Sequence, residues 1–476
     1  MSGVDLIGAI EPWPSSHASL PDGWSWGDNP QIAQVQAHKS RLILQADALA
    51  SLAAPDDDDR AWMHALYRGA AAWELWLLQH DTHATSRAKQ QCAHSALSLA
   101  ELSHDLNLAE DVLTCWRAIG PTHARFYRDG QKRLEKQGAA FKRQIKALTL
   151  NALIDRHDRG AAESFLHATA PFVREGGLGE LTGLRALAME VLGYPAAEVV
   201  GARFRACVAF PTDPHAFSAY LLALSRFTLD GAPSPVLGDG LRWFRDDLGV
   251  QASALTMRDR YDEDTIFGES LESQVAHVAR LALASQDTYL VDHAVFFCVK
   301  HLKRKAGRLQ EAMALMDEAL RRHPRAPAIR VFRALTAHEL ALPDAFADLS
   351  AMLREADSAH VPPWLWQVAG EVFGRGQRWE EAVRAFHRGG VDAEGFTAVA
   401  WINQYAIALA RSGAPDAART VLERALRLVA NESLLRHNLD VLAGQRAEAL
   451  RPHTIDPFAA ARFDQAADRL DYATAA

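Results

Sequence analysis

Catalytic and cofactor-binding signatures are what this sequence of 476 residues most clearly lacks. It contains no GxxxxGK[ST] phosphate-binding loop, no GxSxG nucleophile elbow and no HExxH zinc motif. The glycine-rich run from Gly177 to Gly183 has the wrong spacing for a dinucleotide-binding loop, and no strand is expected before it. That run therefore predicts a helix boundary, and no motif of the sequence points to one enzyme class.

Cysteine is scarce, and long apolar runs are absent. Four cysteines lie far apart without any CxxC pair, which fits neither a zinc ribbon nor a disulfide framework and predicts buried free thiols: Cys92, Cys115, Cys207 and Cys298. The first residues, MSGVDLIGAIEPWP, have neither a basic region nor a long apolar core, and no run of 18 apolar residues occurs. We therefore expect no secretion signal, no membrane span and a cytoplasmic location.

β-branched residues are sparse beside alanine and leucine, so the composition favours helix over strand. Hydrophobic residues make up 49% and charged residues 23%, which is typical of a folded chain, and the length predicts two or three domains or an extended solenoid. The net charge of -8 argues against a protein built to bind nucleic acid through its phosphates.

The positive charge is unevenly distributed. A basic run begins at Lys300 and Lys303 and continues to Arg325, and a second lies between Lys132 and Lys146. Such runs are usually solvated helix faces, and this is the favoured interpretation. The alternative is a docking surface for an acidic partner.

The pattern of breaks predicts an irregular N-terminal segment (1–30), an N-terminal helical domain (31–193), a middle helical and irregular region (194–291), a repeat array (292–444) and a tail (445–476). In the N-terminal domain, Asp59 is expected to cap a helix whose apolar residues recur at helical spacing: Trp62, Leu66, Ala70, Trp73 and Leu77. The bulky stretches 203–210 and 296–299 have no alternating partner runs and are assigned to helix.

Self-similarity is the firmest signal. Four segments align, beginning at Gly307, Leu340, Gln377 and Gly413, so that successive starts are 33, 37 and 36 residues apart. An alanine stands five residues after every start, where a small side chain lets two antiparallel helices approach: Ala312, Ala345, Ala382 and Ala418. A second small residue follows in three segments, where we expect it to let the next repeat dock: Ala319, Gly389 and Ala425.

In spacing and in residues this pattern resembles the tetratricopeptide repeat (TPR) family. Upstream of the third and fourth starts, Gly370 and Ala406 occupy the small position of the first helix, and Trp366 and Phe373 occupy large positions. The second unit departs from the family, because Met352 and Arg333 stand where small residues are expected. The segment 432–442 is expected to be a capping helix. The resemblance implies an all-α fold, an α-solenoid of helical hairpins joined to the N-terminal helical domain.

The resemblance also implies a binding groove. In this family the first helices of the repeats line a concave face that binds peptides or helices of partner proteins. Some members bind a C-terminal carboxylate there with asparagines and lysines, and the corresponding candidates are Lys300, Lys303, Arg333, Asn403, Gln404 and Asn438. Only Asn438 falls in the family's asparagine position, whereas Asn403 is offset by one and Gln404 takes its expected place.

Two functions follow as hypotheses. The first is a scaffold or adaptor that binds a partner polypeptide without a cofactor, and the basic run at Lys300 favours an acidic partner. The alternative is an enzyme or enzyme subunit with a metal ion in the N-terminal domain, where Glu101 and His104 form an ExxH on one predicted helix and Glu74 lies on a neighbouring one. Under that alternative the repeats would recruit a peptide or carrier-protein substrate. A nucleic-acid-associated regulator is a third, weaker interpretation, since only the basic runs favour it.

Overall fold

The computed structural model describes residues 10–14, 30–82, 84–120, 125–132, 159–175, 181–227, 236–258, 267, 269–304, 308–355 and 361–460. All regular structure within these ranges is helical, as predicted. The stretch 296–299 lies in a helix, and the stretch 203–210 is helical as far as Ala209. No helix in this part of the chain is long and apolar enough to cross a bilayer. The chain divides into two compact units, with the boundary between Leu271 and Glu272.

Unit 1 is organised around one long helix. Its described helices are α1 (Pro30–Ala50), α2 (Asp57–His80), α3 (Ser86–Leu102), α4 (Leu106–Ile119), α5 (Arg159–Glu175), α6 (Leu181–Leu192), α7 (Ala196–Ala209), α8 (Pro214–Arg226), α9 (Val236–Trp243) and α10 (Leu248–Arg258). Helix α2 packs against α1, α3, α4, α5 and α7. Its predicted apolar residues are all buried, and the Trp73 ring lies 4.8 Å from that of Trp243.

The start of α2 differs from the prediction. Asp56, not Asp59, is the N-cap, because its carboxylate accepts hydrogen bonds from the backbone N–H groups of Asp58 and Asp59 at 2.9 and 2.8 Å. The Asp59 carboxylate in turn accepts from the Asp56 backbone N–H, which completes a capping box. Either aspartate suits the capping pattern in sequence, and the reciprocal geometry decides between them.

Unit 2 is an array of helical hairpins. Its helices are α11 (Leu271–Ala284), α12 (Thr288–Arg304), α13 (Leu309–Arg322), α14 (Pro327–Glu339), α15 (Ala347–Arg354), α16 (Pro363–Arg375), α17 (Trp379–Arg388), α18 (Val399–Arg411), α19 (Pro415–Leu428), α20 (Ser433–Leu442) and the short α21 (Pro457–Ala460). Helices α12 to α19 form four hairpins, and α20 is the predicted capping helix. We call α12, α14, α16, α18 and α20 the A helices, since each contacts the next one, and we call α13, α15, α17 and α19 the B helices.

Small residues of the repeat lie where two helices approach closely, as their spacing predicts. Ala312, Ala382 and Ala418 are fully buried at the start of their B helices. A Cβ added to Gly370 would lie 2.7 Å from the ring of Phe386, so α16 and α17 are in close contact. Gly389 is predicted to let the next repeat dock. A Cβ there would first meet Gln367 and the carbonyl of Pro363 at 2.8–3.1 Å, so the glycine is needed for close packing within its own hairpin.

The irregular second hairpin has a physical explanation. Helix α15 has only 8 residues, and the turn before it contains Ala341 and Asp344 at positive φ. Arg333 of α14 reaches out between two B helices, where it pairs with Asp317 at 2.6 Å and with Asp348 at 3.2 Å. The large side chain is therefore accommodated by a shortened B helix and two carboxylates.

Candidate binding face of the repeat array

Two buried asparagines on successive A helices meet side by side. Asn403 lies on α18 and Asn438 on α20, and both are almost completely buried. The Asn438 side-chain N–H donates to the Asn403 amide oxygen at 2.7 Å. The offset of one residue in the repeat register therefore does not separate them.

Both asparagines bind the backbone of one residue in the C-terminal segment. Asn403 Nδ2 and Asn438 Nδ2 each donate to the carbonyl oxygen of Arg451 at 2.9 Å, and the Arg451 backbone N–H donates to Asn438 Oδ1 at 2.7 Å. Because a backbone N–H can only donate, the Asn438 atom facing it must be oxygen, which fixes the orientation of both amides. The pair thus binds both main-chain hydrogen-bonding groups of one residue, the N–H and the C=O of Arg451.

Gln404 binds the backbone of His453, two residues after Arg451, and is itself hydrogen-bonded to the carboxylate of Glu371. Its amide oxygen accepts from the backbone N–H of His453 at 3.2 Å, and its amide N–H donates to Glu371 at 2.7 Å. Glu371 is buried on α16 and also accepts from Arg375 Nε at 3.0 Å. Arg375 then donates to the carbonyl oxygen of Ile455.

These contacts follow a period of two along the C-terminal segment. Residues 451, 453 and 455 present backbone atoms to the A helices, and residues 445–456 have no helix or strand structure. The side chains of residues 451–454 are exposed. A period of two is that of extended backbone, so the segment lies extended and is held mainly through its main chain. The surface that holds it is formed by the A helices α12, α14, α16, α18 and α20, and we call it the A-face.

Two apolar side chains anchor the end of this segment. Ile455 and Phe458 are both buried. The Phe458 ring lies 4.6 Å from the ring of Phe332 and 5.7 Å from that of Phe296. Lys303 Nζ lies 4.8 Å from the Phe458 ring centroid, close enough for a cation–π interaction.

The remaining predicted groove residues lie apart from the asparagine pair. Lys303 is at the Phe458 site, where it is also paired with Glu339 at 2.5 Å. Lys300 lies 5.7 Å from the Phe297 ring centroid. Arg333 points to the B helices, as described above. Several members of the basic run are matched locally by carboxylates, for example Arg308 by Glu311 and Arg322 by Glu318, which weakens their field toward solvent.

Sequence reasoning missed Glu371 and Arg375. They stand four residues apart on α16, a spacing that places them on one helix face, and this was the available signal. Their role depends on contacts with residues 404 and 455, which no local pattern encodes.

The proposed metal ligands of unit 1 are not brought together. Glu74 accepts from Lys39 at 2.6 Å and from the Cys92 thiol at 3.0 Å. Burial, with a further contribution from the Glu74 carboxylate, raises the pKa of the Cys92 thiol well above its ordinary value, so the thiol remains a donor.

Helix α3 ends at Leu102, and His104 follows at φ 55°, so Glu101 and His104 do not share a helical face. No cluster of three His, Cys, Asp or Glu side chains suited to a metal ion is found among the described residues. The metal-dependent alternative therefore stays a prediction without a geometric argument in its favour.

Comparisons with known proteins add little to this picture. No family model and no curated protein matches the chain. A crystal structure of the APC/C hetero-tetramer Cut9–Hcn1 is similar, with a TM-score of 0.32, 12% sequence identity and coverage of 87% of each chain. So low a TM-score supports no conclusion about fold or function. The helical-repeat fold is assigned from helices α12 to α20 and their packing alone.

Proposed function

We propose that this protein is an interaction scaffold that binds an extended segment of a partner polypeptide on the A-face. The observation that carries the proposal is the set of side chains aligned for main-chain contact, Asn403, Asn438, Gln404 and Arg375. Side chains that bind peptide N–H and C=O groups at alternate residues suit any extended chain of the right length. Such a surface is typical of peptide recognition by repeat arrays.

Burial makes these side chains effective ligands. An amide that is withdrawn from water and left without a partner costs about 1–3 kcal/mol, whereas a satisfied hydrogen bond contributes about 0.5–1.5 kcal/mol. Asn403 and Asn438 are held by helices on neighbouring repeats and by each other. Little conformational entropy is therefore lost when they bind a peptide unit.

Charge is the secondary part of the proposal. An acidic partner would approach the A-face at α12, where Lys300 and Lys303 lie. Because Lys303 is already paired with Glu339, we expect the affinity to depend only modestly on salt concentration. Hydrogen bonds to the partner's main chain contribute most of the affinity, and the two lysines favour partners with acidic sequences.

The test is affinity purification with the full chain from its source cells. We expect the double substitution Asn403→Ala/Asn438→Ala to lose the partners that the unaltered chain recovers. The matched control is Asn431→Ala, since Asn431 is exposed between α19 and α20 and should retain them. A recovered partner is then purified and cross-linked to the chain, and the cross-links should map to A helices. The same proteins recovered by all three chains, or cross-links confined to unit 1, would contradict the scaffold role of the A-face.

A further inference from the structure

The A-face is already occupied by the chain's own residues 446–460, and this suggests what a partner must look like. Resting on the proposed function, we infer that residues 449–458 are a built-in copy of the partner segment, and that a partner binds by displacing them.

The segment of residues 446–460 contacts the A-face in the way that a bound peptide contacts its receptor. Between Gly444, at φ 72°, and α21 it contains no regular structure, and most of its side chains are exposed. Its attachment consists of alternate main-chain hydrogen bonds followed by the buried Ile455 and Phe458. A segment that belonged to the packed core would instead bury side chains along its whole length.

Proline positions agree with this mode of binding. Pro452 has no N–H to donate, and it falls between residues 451 and 453, whose N–H groups are used. A proline also restricts the residue before it to extended conformations, which suits Arg451. Pro457 begins α21, where the Asp456 carboxylate accepts from the Phe458 N–H at 3.0 Å and helps to present that ring.

The partner pattern follows from these positions. A segment that replaces residues 449–458 needs an extended stretch with a free N–H at the residue that meets Asn438. It needs an aliphatic side chain four residues later and an aromatic one seven residues later, corresponding to Ile455 and Phe458. The aromatic ring would fill the site between Phe296, Phe332 and Lys303.

Tethering gives the built-in segment an advantage over a free peptide. A short linker holds it at an effective concentration on the order of 1 mM. If a free peptide binds with a Kd of about 10 μM, the tethered copy occupies the face about 99% of the time, and apparent affinity in the unaltered chain falls about a hundredfold. The A-face is therefore self-inhibited, and release of residues 446–460 exposes it.

The experiment uses a synthetic fluorescent peptide of residues 446–460 and fluorescence polarisation. Four full-length chains are compared: the unaltered chain, the released chain Ile455→Ser/Phe458→Ser, the released chain with Asn403→Ala/Asn438→Ala added, and the control Thr454→Ala, which alters an exposed side chain. We expect the released chain to bind at least tenfold more tightly than the unaltered and control chains. The added asparagine substitutions should abolish binding.

Matched peptides test the side-chain pattern on the released chain. A peptide carrying Phe458→Ala should lose at least tenfold in affinity, while one carrying Thr454→Ala should bind like the original. Equal affinity of the released and unaltered chains would overturn the inference. So would a released chain that binds no peptide, whether it melts as before or at a lower temperature, because residues 446–460 would then be structural.

The outcomes separate the inference from the proposed function. Peptide binding as expected, with no partner lost on Asn403→Ala/Asn438→Ala, would support the built-in ligand and count against the scaffold role. A partner that is lost on that substitution, with no peptide binding to the released chain, would overturn the inference and leave the scaffold role standing.

Discussion

The two units use the same helical material in different ways. In unit 1 the long helix α2 packs against five helices, among them α5 and α7, which are distant in the chain. In unit 2 the extensive helix contacts join neighbours one or two places apart, except for that between α16 and α21. A helix surrounded on all sides has no surface left to offer, whereas a stacked array keeps one side of each A helix available to a ligand.

The packing of aromatic residues also differs between the two units. In unit 1 the buried Trp73 packs edge to face with the partly buried Trp76 and Trp243, all from unit 1 itself. In unit 2 Phe296 and Phe332 instead receive Phe458 from the end of the chain. The second arrangement is completed by a segment that is far away in sequence.

Among the tests of this comparison, Trp73→Ala should change the free energy of unfolding most. Removal of a fully buried tryptophan should lower the free energy of unfolding of unit 1 by about 3–5 kcal/mol, and hydrogen exchange should rise in every helix that contacts α2. In the array, Trp366→Ala removes an equally buried ring, but its effect should stay near α16, because repeats stabilise mainly their neighbours. Leu44→Ala is the control, since Leu44 is 68% exposed. Exchange confined to α2 in the first variant would refute its central role.

One chemical change made in both units sharpens the comparison. Gly69→Ala would place a Cβ 2.1 Å from the backbone oxygen of Val208, so that α2 and α7 must move apart at a cost of about 1–3 kcal/mol. Gly370→Ala meets only the Phe386 ring at 2.7 Å, and a ring can shift, so its cost should be smaller. Gly201→Ala has open space and should stabilise the helix by about 0.5–1 kcal/mol. Chemical denaturation that ranks Gly370→Ala as the most damaging would contradict this account.

The parts predicted from sequence are those whose cause is local or periodic. Ala312, Ala382 and Ala418 mark helix crossings that recur at each repeat, so their spacing predicted the hairpins. Asn438 was identified by its register in the repeat, and Gln404 by the same register one unit earlier. The basic run was also visible, although its pairing with carboxylates such as Glu318 was not.

The parts that escaped prediction depend on contacts between distant residues. Nothing around Phe458 indicates that its ring will meet Phe296, more than one hundred and fifty residues earlier in the chain. The central role of α2 is likewise set by packing with α7, although the run of small residues from Gly69 to Ala72 hinted at burial on every side. The shared helical face expected for Glu101 and His104 is absent for a different reason, since the helix ends at Leu102, between the two residues.

The last prediction concerns the asparagine pair itself. Asn403→Ala and Asn438→Ala each remove a donor to the Arg451 carbonyl and leave the other amide partly unsatisfied, so each should weaken docking of residues 446–460 by about 1–3 kcal/mol. Because the two amides bind each other, the double variant should cost less than the sum of the single ones, with a coupling of about 1 kcal/mol. Amide hydrogen exchange at His453, whose N–H donates to Gln404 and to neither asparagine, measures the docking free energy in all of these variants.

The control for this cycle pairs Asn403→Ala with Asn431→Ala, where the exposed Asn431 should have no effect and no coupling. Strict additivity of the Asn403 and Asn438 costs would mean that each amide acts alone on the Arg451 carbonyl. A measurable coupling would instead make α18 and α20 one recognition unit, formed by two successive repeats.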